Sequence, residues 1–311
     1  MTGRTLLLRW WHHHGDVALV VLGAVLVSGK GIIAKLLYRD GVTIEPILLL
    51  RAWLSLPLVW AWALYRVPLR ALFGGDRRLI AGAMLAGAAS YYAGAWMNFI
   101  ALTMIDASLE RVLLFTYPTM VVVARALALR RWPSRKLLSA VALTYLGVAC
   151  AVGGLNVELL ESNGLGAALV LGSAGFFAYY MIANERVAMI TGSVPFIVHA
   201  TLAAVVALSL HAVFISGDGF SRVLALPSRA VWLITLMTAL TNVLPLFLFS
   251  ASIKRIGAQR AAVVSTVGPP STLIMASLIL GETMHAVQIV GAGLIIAGIV
   301  VLETRRAAAP L

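Results

Sequence analysis

Lys30 is the residue whose type and position most directly indicate chemistry. It stands in the sequence Ser28-Gly29-Lys30-Gly31, about 13 residues into an apolar stretch that covers 17–37. A charge at this depth is costly in a bilayer and normally faces a protein interior or an aqueous cavity. A lysine there is able to bind a substrate carboxylate or phosphate, or to take part in proton coupling. The alternatives are a lysine that snorkels along its own helix and a lysine held in a structural pair.

A second group of polar and aromatic side chains lies at similar depth in other apolar stretches. Amide groups need partners inside a membrane, and aromatic rings can enclose an apolar substrate. Hydrogen bonds between helices, and ordinary packing of the rings, are the alternative interpretation. Together with Lys30, the residues predicted to bind substrate are Tyr91, Trp96, Asn98, Phe176, Tyr180 and Asn242.

Three prolines interrupt apolar stretches at mid-membrane depth. Proline removes a backbone hydrogen bond, so the turn before it must be satisfied by neighbouring groups or by a water-lined cavity. Pro118, Pro245 and Pro269 are therefore predicted to form hinges or cavity walls. A simple packing kink is the alternative for each of them.

Several charged residues have a structural explanation from their positions alone. Lys35 and Arg51 lie nearer the ends of their stretches and can snorkel, so structural roles are predicted for both. Glu110 stands near the start of a helix, where a carboxylate complements the macrodipole. Glu282 follows the ninth stretch and is treated as a structural charge.

Enzymatic and metal-binding signatures are missing from the sequence. The run at 12–14 consists of three adjacent histidines, which lack the spacing and further ligands of a defined metal site. No HExxH, nucleophile-elbow or P-loop motif occurs in the chain. We therefore predict a protein that is not an enzyme, has no metal site or cofactor, and does not use ATP.

The composition indicates a membrane protein. Of 311 residues, 61% are hydrophobic and 12% are charged, and the mean hydropathy is +0.96. These values exclude a soluble domain and a disordered chain, and the single cysteine, Cys150, excludes a disulfide scaffold. The net charge of +12 fits loops facing anionic lipid better than nucleic acid, for which no motif is present.

The apolar stretches predict an all-α polytopic protein with ten transmembrane helices. Each stretch is close to the roughly 20 residues that cross a bilayer. Of the 24 Lys and Arg residues, sixteen fall in the N-terminal segment, the even-numbered loops and the C-terminal tail, and four fall in the odd-numbered loops. The positive-inside rule then places 1–16 and 304–311 on the cytoplasmic side of the membrane. We predict that this membrane is a bacterial inner membrane. The predicted helices are 17–37, 46–65, 79–102, 108–128, 137–154, 164–184, 195–215, 230–252, 259–280 and 286–303.

Two five-helix repeats are predicted, at 17–154 (the first half) and 164–303 (the second half). A shift of 151 residues aligns them without a gap and pairs Pro118 with Pro269. Because each repeat has an odd number of helices, the two must be inverted in the membrane, as in many secondary transporters. The alternative explanation is a composition bias shared by the two halves.

Nearly the whole chain resembles the EamA-type members of the drug/metabolite transporter superfamily. The resemblance rests on Lys35, Arg51, the two mid-span prolines, Gly281-Glu282 and a glycine-rich final helix that begins at Gly291. It implies ten helices around a central cavity and, usually, export of amino acids or other small metabolites. One departure is that the first half has Arg130-Arg131 where the second has Gly281-Glu282.

The predicted function is secondary transport, as an exporter of small metabolites or amino acids that works by alternating access. The predicted partners are a small-molecule solute, an ion or proton gradient and membrane lipid, with the protein as a monomer or homodimer. The alternative is an integral-membrane enzyme or scramblase that acts on lipid-linked substrates. An enzyme of that kind predicts carboxylates or histidines clustered at one membrane face, which the sequence lacks.

Overall fold

The computed structural model describes residues 3–74, 76–128, 130, 135–152, 157–245, 247–248, 264 and 267–303. All of its elements are helical. The α-helices with defined bounds are α1 (Gly3–Arg39), α2 (Ile44–Arg66), α3 (Leu69–Phe73), α4 (Arg77–Gly87), α5 (Ala95–Met104), α6 (Ala107–Leu114), α7 (Tyr117–Ala128), α8 (Arg135–Val152), α9 (Val157–Thr191), α10 (Ser193–Phe214), α11 (Gly219–Leu224), α12 (Ser228–Met237), α13 (Gly268–Met275) and α14 (Ala286–Glu303).

Five stretches of helix in the described residues are long and apolar enough to cross a membrane. They are Val17–Arg39, Ile44–Arg66, Ala107–Ala128, Glu161–Val187 and Ser193–Phe214. Shorter apolar helices cover Leu138–Ala151, Gly268–Leu280 and Ala286–Val301. The predicted cytoplasmic tail at 304–311 and the predicted helical residues 249–252 and 259–263 lie outside the described part of the chain.

Three π-helical segments extend α-helices without a break. Ala88–Gly94 joins α4 to α5, Thr238–Val243 continues α12, and Ala276–Leu280 continues α13. A π segment adds a residue to each turn and is frequent at functional sites. The sequence predicts plain membrane helices here, because apolar periodicity carries no signal for the π geometry.

The fourth and ninth predicted helices are interrupted near their prolines. The chain turns at Phe115 and Thr116, after which α7 begins at Tyr117 with Pro118 in its first turn. In the same way α13 begins at Gly268 with Pro269 in its first turn. Proline fits the start of a helix because no hydrogen bond is required from its nitrogen there.

Close helix packing surrounds a space in the middle of the molecule. Helix α14 packs along α8, α10 packs on α2 and α4, and α9 packs on α5. A methyl group added at Gly147 would lie 2.7 Å from the Gly291 carbonyl oxygen, so the backbones of α8 and α14 approach closely. Helices α2, α5, α9 and α10 of these pairs also line the cavity described below.

Candidate functional site

A cavity of about 360 Å³ lies among helices from both halves of the chain. Helices α1, α2, α5, α6, α7, α9 and α10 contribute to its wall, together with the first two π segments. Its charged lining residues are Lys30, Arg51 and Arg111. This volume falls within the range of sites that bind small molecules.

Lys30 belongs to a closed polar triad at the cavity wall. Its Nζ donates to Asn98 Oδ1 at 2.6 Å and to Glu110 Oε1 at 3.1 Å. Asn98 Nδ2 donates to the same Glu110 oxygen at 2.6 Å. Glu110 is 1% exposed, so its charge is compensated inside the protein. Lys30 therefore points to a carboxylate within the bundle, and its ammonium does not snorkel to the membrane surface.

The glycines beside Lys30 allow neighbouring helices to approach α1. A methyl group at Gly31 would lie 3.2 Å from Ala107 Cβ and 3.5 Å from Glu110 Oε2. Two residues before Lys30, Ser28 Oγ donates to the Gly268 carbonyl oxygen at 2.9 Å. Small residues thus bring α6 and α13 against α1, which is what positions Glu110 for Lys30.

Two arginines face the cavity without a carboxylate partner among the residues described. The guanidinium of Arg51 lies 5.2 Å from the Phe99 ring centre, and that of Arg111 lies 5.1 Å from the Phe115 ring centre. Arg111 is 5% exposed, and its Nε has no hydrogen-bond acceptor. The sequence predicts a structural role for Arg51 near the end of its helix, whereas the structure places its side chain in the cavity wall.

The first two π segments both supply polar side chains to the cavity wall. Ser90 and Tyr91 come from the segment between α4 and α5, and Thr241 and Asn242 come from the segment after α12. Asn242 Nδ2 donates to Ser55 Oγ at 2.9 Å. The two π segments therefore carry part of the hydroxyl and amide groups of the site.

Three of the predicted binding residues do not line the cavity. Trp96 packs on His211 with ring centres 4.8 Å apart, and Tyr180 lies behind Tyr91 with ring centres 5.0 Å apart. Phe176 packs beside Gly94, and its neighbour Phe177 faces the cavity instead.

The three predicted hinge prolines also differ in whether they line the cavity. Pro245 lines the cavity, whereas Pro118 and Pro269 stand at the helix starts described above and do not line it. The cavity-facing residue beside Pro118 is Tyr117.

A second carboxylate, Glu282, reaches the start of α6 from the second half. It accepts from the backbone nitrogens of Ala107 at 3.0 Å and Ser108 at 3.2 Å, and from Ser108 Oγ at 2.9 Å. Gly281, with φ of 72°, provides the left-handed turn that directs Glu282 back toward α6. Burial and the nearby Glu282 charge raise the pKa of Asp106, while Lys35 opposes that rise.

Further polar contacts join the two halves at the same ends of the helices. Arg39 Nη2 donates to the Leu280 carbonyl oxygen at 2.7 Å. Ion pairs join Arg229 to Asp40 at 3.4 Å and Arg222 to Glu45 at 3.6 Å. With Glu282, these contacts form a set that we name the end contacts.

No group of three His, Cys, Asp or Glu side chains that could hold a metal ion occurs among the residues that the structure describes. The side chains of the histidine run at 12–14 lie outside the described part. The chemistry of the cavity is therefore that of the cations, amides, hydroxyls and aromatic rings given above.

Comparisons with known proteins identify similar chains. Residues 164–304 match the model of the EamA-like transporter family. The uncharacterized transporter YcbK of Bacillus subtilis (strain 168) is 31% identical over 289 residues, which are 92% of each chain. A solved crystal structure at 14% identity has a TM-score of 0.60 and covers 96% of this chain and 100% of that chain. At that identity, the match shows similarity of fold.

Proposed function

Because the chain belongs to the EamA-like transporter family and is a membrane transporter, we propose that it is a secondary transporter that exports a small organic solute by alternating access. The observation that carries the proposal is the cavity between the two halves, with Lys30, Asn98 and Glu110 forming a buried polar triad at its wall. A lysine–glutamate pair deep in a membrane stretch, at the wall of a cavity of this size, is typical of a substrate or ion pathway.

Helix starts that recur at a fixed spacing support the arrangement as two inverted repeats. Helices α4 and α12 begin at Arg77 and Ser228, which are 151 residues apart. The same spacing separates Tyr117 from Gly268, where α7 and α13 begin. It also separates the starts of α8 and α14. The spacing equals the shift that aligns the two halves of the sequence, which favours ten spans in two repeats over composition bias.

Reciprocal helix packing supports the same arrangement. Helix α9 packs on α4 and α7, and α1, its counterpart in the first half, packs on α12 and α13, which are the counterparts of α4 and α7. The pairs α2 with α10 and α8 with α14 join equivalent helices. This pattern is expected of two repeats related by an axis in the membrane plane, with the substrate site between them.

The end contacts are the proposed closure of the cavity on one side of the membrane. With both termini in the cytoplasm, they lie on the outer side of the bacterial inner membrane. They link residues of the first half, such as Ser108 and Asp40, to residues of the second half, such as Glu282 and Arg229. Release of a solute to the outside requires these contacts to separate while the cytoplasmic side closes.

A comparison of cell extracts and growth media tests transport. Bacteria that overexpress the wild-type protein are compared by untargeted mass spectrometry with bacteria that express Lys30→Ala at equal membrane abundance. We expect at least one small solute to accumulate outside and fall inside only when Lys30 is present. Lys35→Ala is the matched control, because Lys35 is on the same helix and does not line the cavity.

The proposal fails if well-expressed Lys30→Ala protein transports normally, or if purified protein in liposomes moves no solute under any gradient. A change in lipid species without a change in small solutes would favour action on lipid-linked substrates instead. Export is replaced by import if the solute accumulates inside the cells.

A further inference from the structure

We propose that the transported solute is an organic anion whose carboxylate is bound by Arg51 and Arg111. The inference rests on the proposed transport function and concerns the same cavity. It assigns Arg51 and Arg111 to solute recognition, and it separates anions from the zwitterionic amino acids that the proposed function also allows.

The charges of the cavity do not balance within the protein. Its lining includes Lys30, Arg51 and Arg111, and no Asp or Glu is present among the described lining residues. Glu110 stands behind the lining and pairs with Lys30. Three cations therefore face one carboxylate, which leaves an excess of two positive charges near the cavity.

The two arginines carry this excess. Arg111 is 5% exposed, and its buried Nε has no acceptor among the residues that the structure describes. In the described part of the chain, neither Arg51 nor Arg111 forms a salt bridge, and each guanidinium lies against an aromatic ring, that of Phe99 or Phe115. Buried cations without an anion are costly. A solute carboxylate provides the missing charge and matches the planar fork of a guanidinium.

A zwitterion fits this site less well than an anion. The ammonium group of an amino acid requires an acceptor, and the charged acceptor at the cavity wall is Glu110. One oxygen of Glu110 already accepts from both Lys30 and Asn98. An added ammonium group would also lie among three cations, so the electrostatic balance favours a solute without one.

Aromatic rings define the rest of the solute. Phe99, Phe115 and Phe177 line the cavity, with Tyr91 and Tyr117. Arg51 lies over Phe99 and Arg111 over Phe115, so apolar surface continues directly from each guanidinium. A carboxylate attached to an aromatic or aliphatic body meets both features.

Binding measurements on the full-length protein in lipid nanodiscs test the charge preference. The probes are four aromatic compounds of similar size: 3-phenylpropionate, its neutral carboxamide, phenylalanine and phenethylamine. Matched aliphatic acids and amides extend the series. We expect the acids to bind about 30-fold tighter than their amides, and the amino acid and the amine to bind more weakly than the acid.

Arginine variants locate the site. Arg51→Gln and Arg111→Gln are each expected to weaken binding of 3-phenylpropionate about 30-fold. Arg78→Gln is the matched control, because Arg78 is exposed on α4 outside the cavity. An equal loss in the control, or no loss in either cavity variant, overturns the assignment.

Thermal unfolding without any probe gives an independent test. Because Arg51 carries an uncompensated charge, Arg51→Gln is expected to raise the unfolding temperature of the empty protein while it weakens acid binding. A lowered unfolding temperature indicates that Arg51 is compensated within the protein and overturns the inference.

The outcomes separate this inference from the proposed function. Export of a cationic or zwitterionic solute, or equal binding of acids and amides, overturns the anion assignment and leaves transport intact. Failure of every acid to bind also overturns it. Acid binding that depends on Arg51, in a protein that moves no solute, supports the anion site and removes the transporter proposal.

Discussion

The first and second halves of the chain contribute different chemistry to the cavity. All of its charged lining residues come from the first half, together with Asn98 and the carboxylate of Glu110 behind the wall. The second half contributes neutral groups, among them Ser173, Thr201 and Asn242. A fold built from repeated elements therefore does not require a symmetric binding site.

The charged residues of the cavity have no charged counterparts at the 151-residue shift of the proposed repeat. At a shift of 151 residues, Lys30 corresponds to Met181 and Arg51 to Leu202. Glu110 and Arg111 correspond to two alanines, at 261 and 262. Three pairs of helix starts nevertheless keep the 151-residue spacing.

The largest effect is expected from breaking the charge balance of the first half. Glu110→Gln leaves the Lys30 ammonium buried without its carboxylate, which we expect to cost about 3 kcal/mol or more of folding stability. Unfolding of the purified variant in detergent measures the loss. The double variant Lys30→Met/Glu110→Gln should recover most of it, since neither charge remains. If the double variant is as unstable as the single variant, the pair does not account for the effect.

A comparison of one asparagine from each half tests whether the polar groups of the first half contribute more to folding stability than those of the second half. Asn98→Ala removes hydrogen bonds to both Lys30 and Glu110, with an expected loss of about 1–3 kcal/mol. Asn242→Ala removes one bond, to Ser55, with an expected loss of about 1 kcal/mol or less. The two variants serve as controls for each other in the same unfolding assay. Equal losses would show that the hydrogen bonds of Asn98 contribute no more to folding stability than the single bond of Asn242.

The smallest effect is expected beside the end contacts, at Asp106, whose side chain lies near the Glu282 carboxylate. The raised pKa of Asp106 means that the folded protein binds this proton more tightly than the unfolded chain does. Stability should therefore decrease as pH rises from the ordinary value of 3.8 through the raised pKa. Asp106→Asn should remove this dependence and slightly stabilise the protein at neutral pH. Unfolding temperatures across that pH range measure it, and an unchanged slope would contradict the prediction.

Polar residues deep in apolar stretches were the features that the sequence located best. Lys30, Asn98, Tyr91 and Asn242 all lie at the cavity wall. A polar group at that depth must face protein or water, so its position alone indicates its surroundings. The family assignment was also confirmed by the relatives that match.

Aromatic residues could not be assigned to a face in the same way. Phe176 and Phe177 are adjacent, and one of them lines the cavity. A membrane helix is apolar toward lipid and toward its neighbours, so periodicity does not distinguish the two sides.

Glu110 was interpreted through the helix dipole, because nothing in the sequence shows that Gly31 brings α1 against α6. The signal that was available was the adjacent pair Glu110-Arg111 within a membrane stretch.

The excess positive charge of the cavity has a consequence for energetics. A solute that carries a negative charge outward moves with the electric field of a membrane whose interior is negative. Each elementary charge gains about 2.3 kcal/mol per 100 mV, which corresponds to about a 50-fold concentration ratio. Transport of a monoanion by this protein would be electrogenic, and the membrane voltage alone would then drive export without a coupled ion.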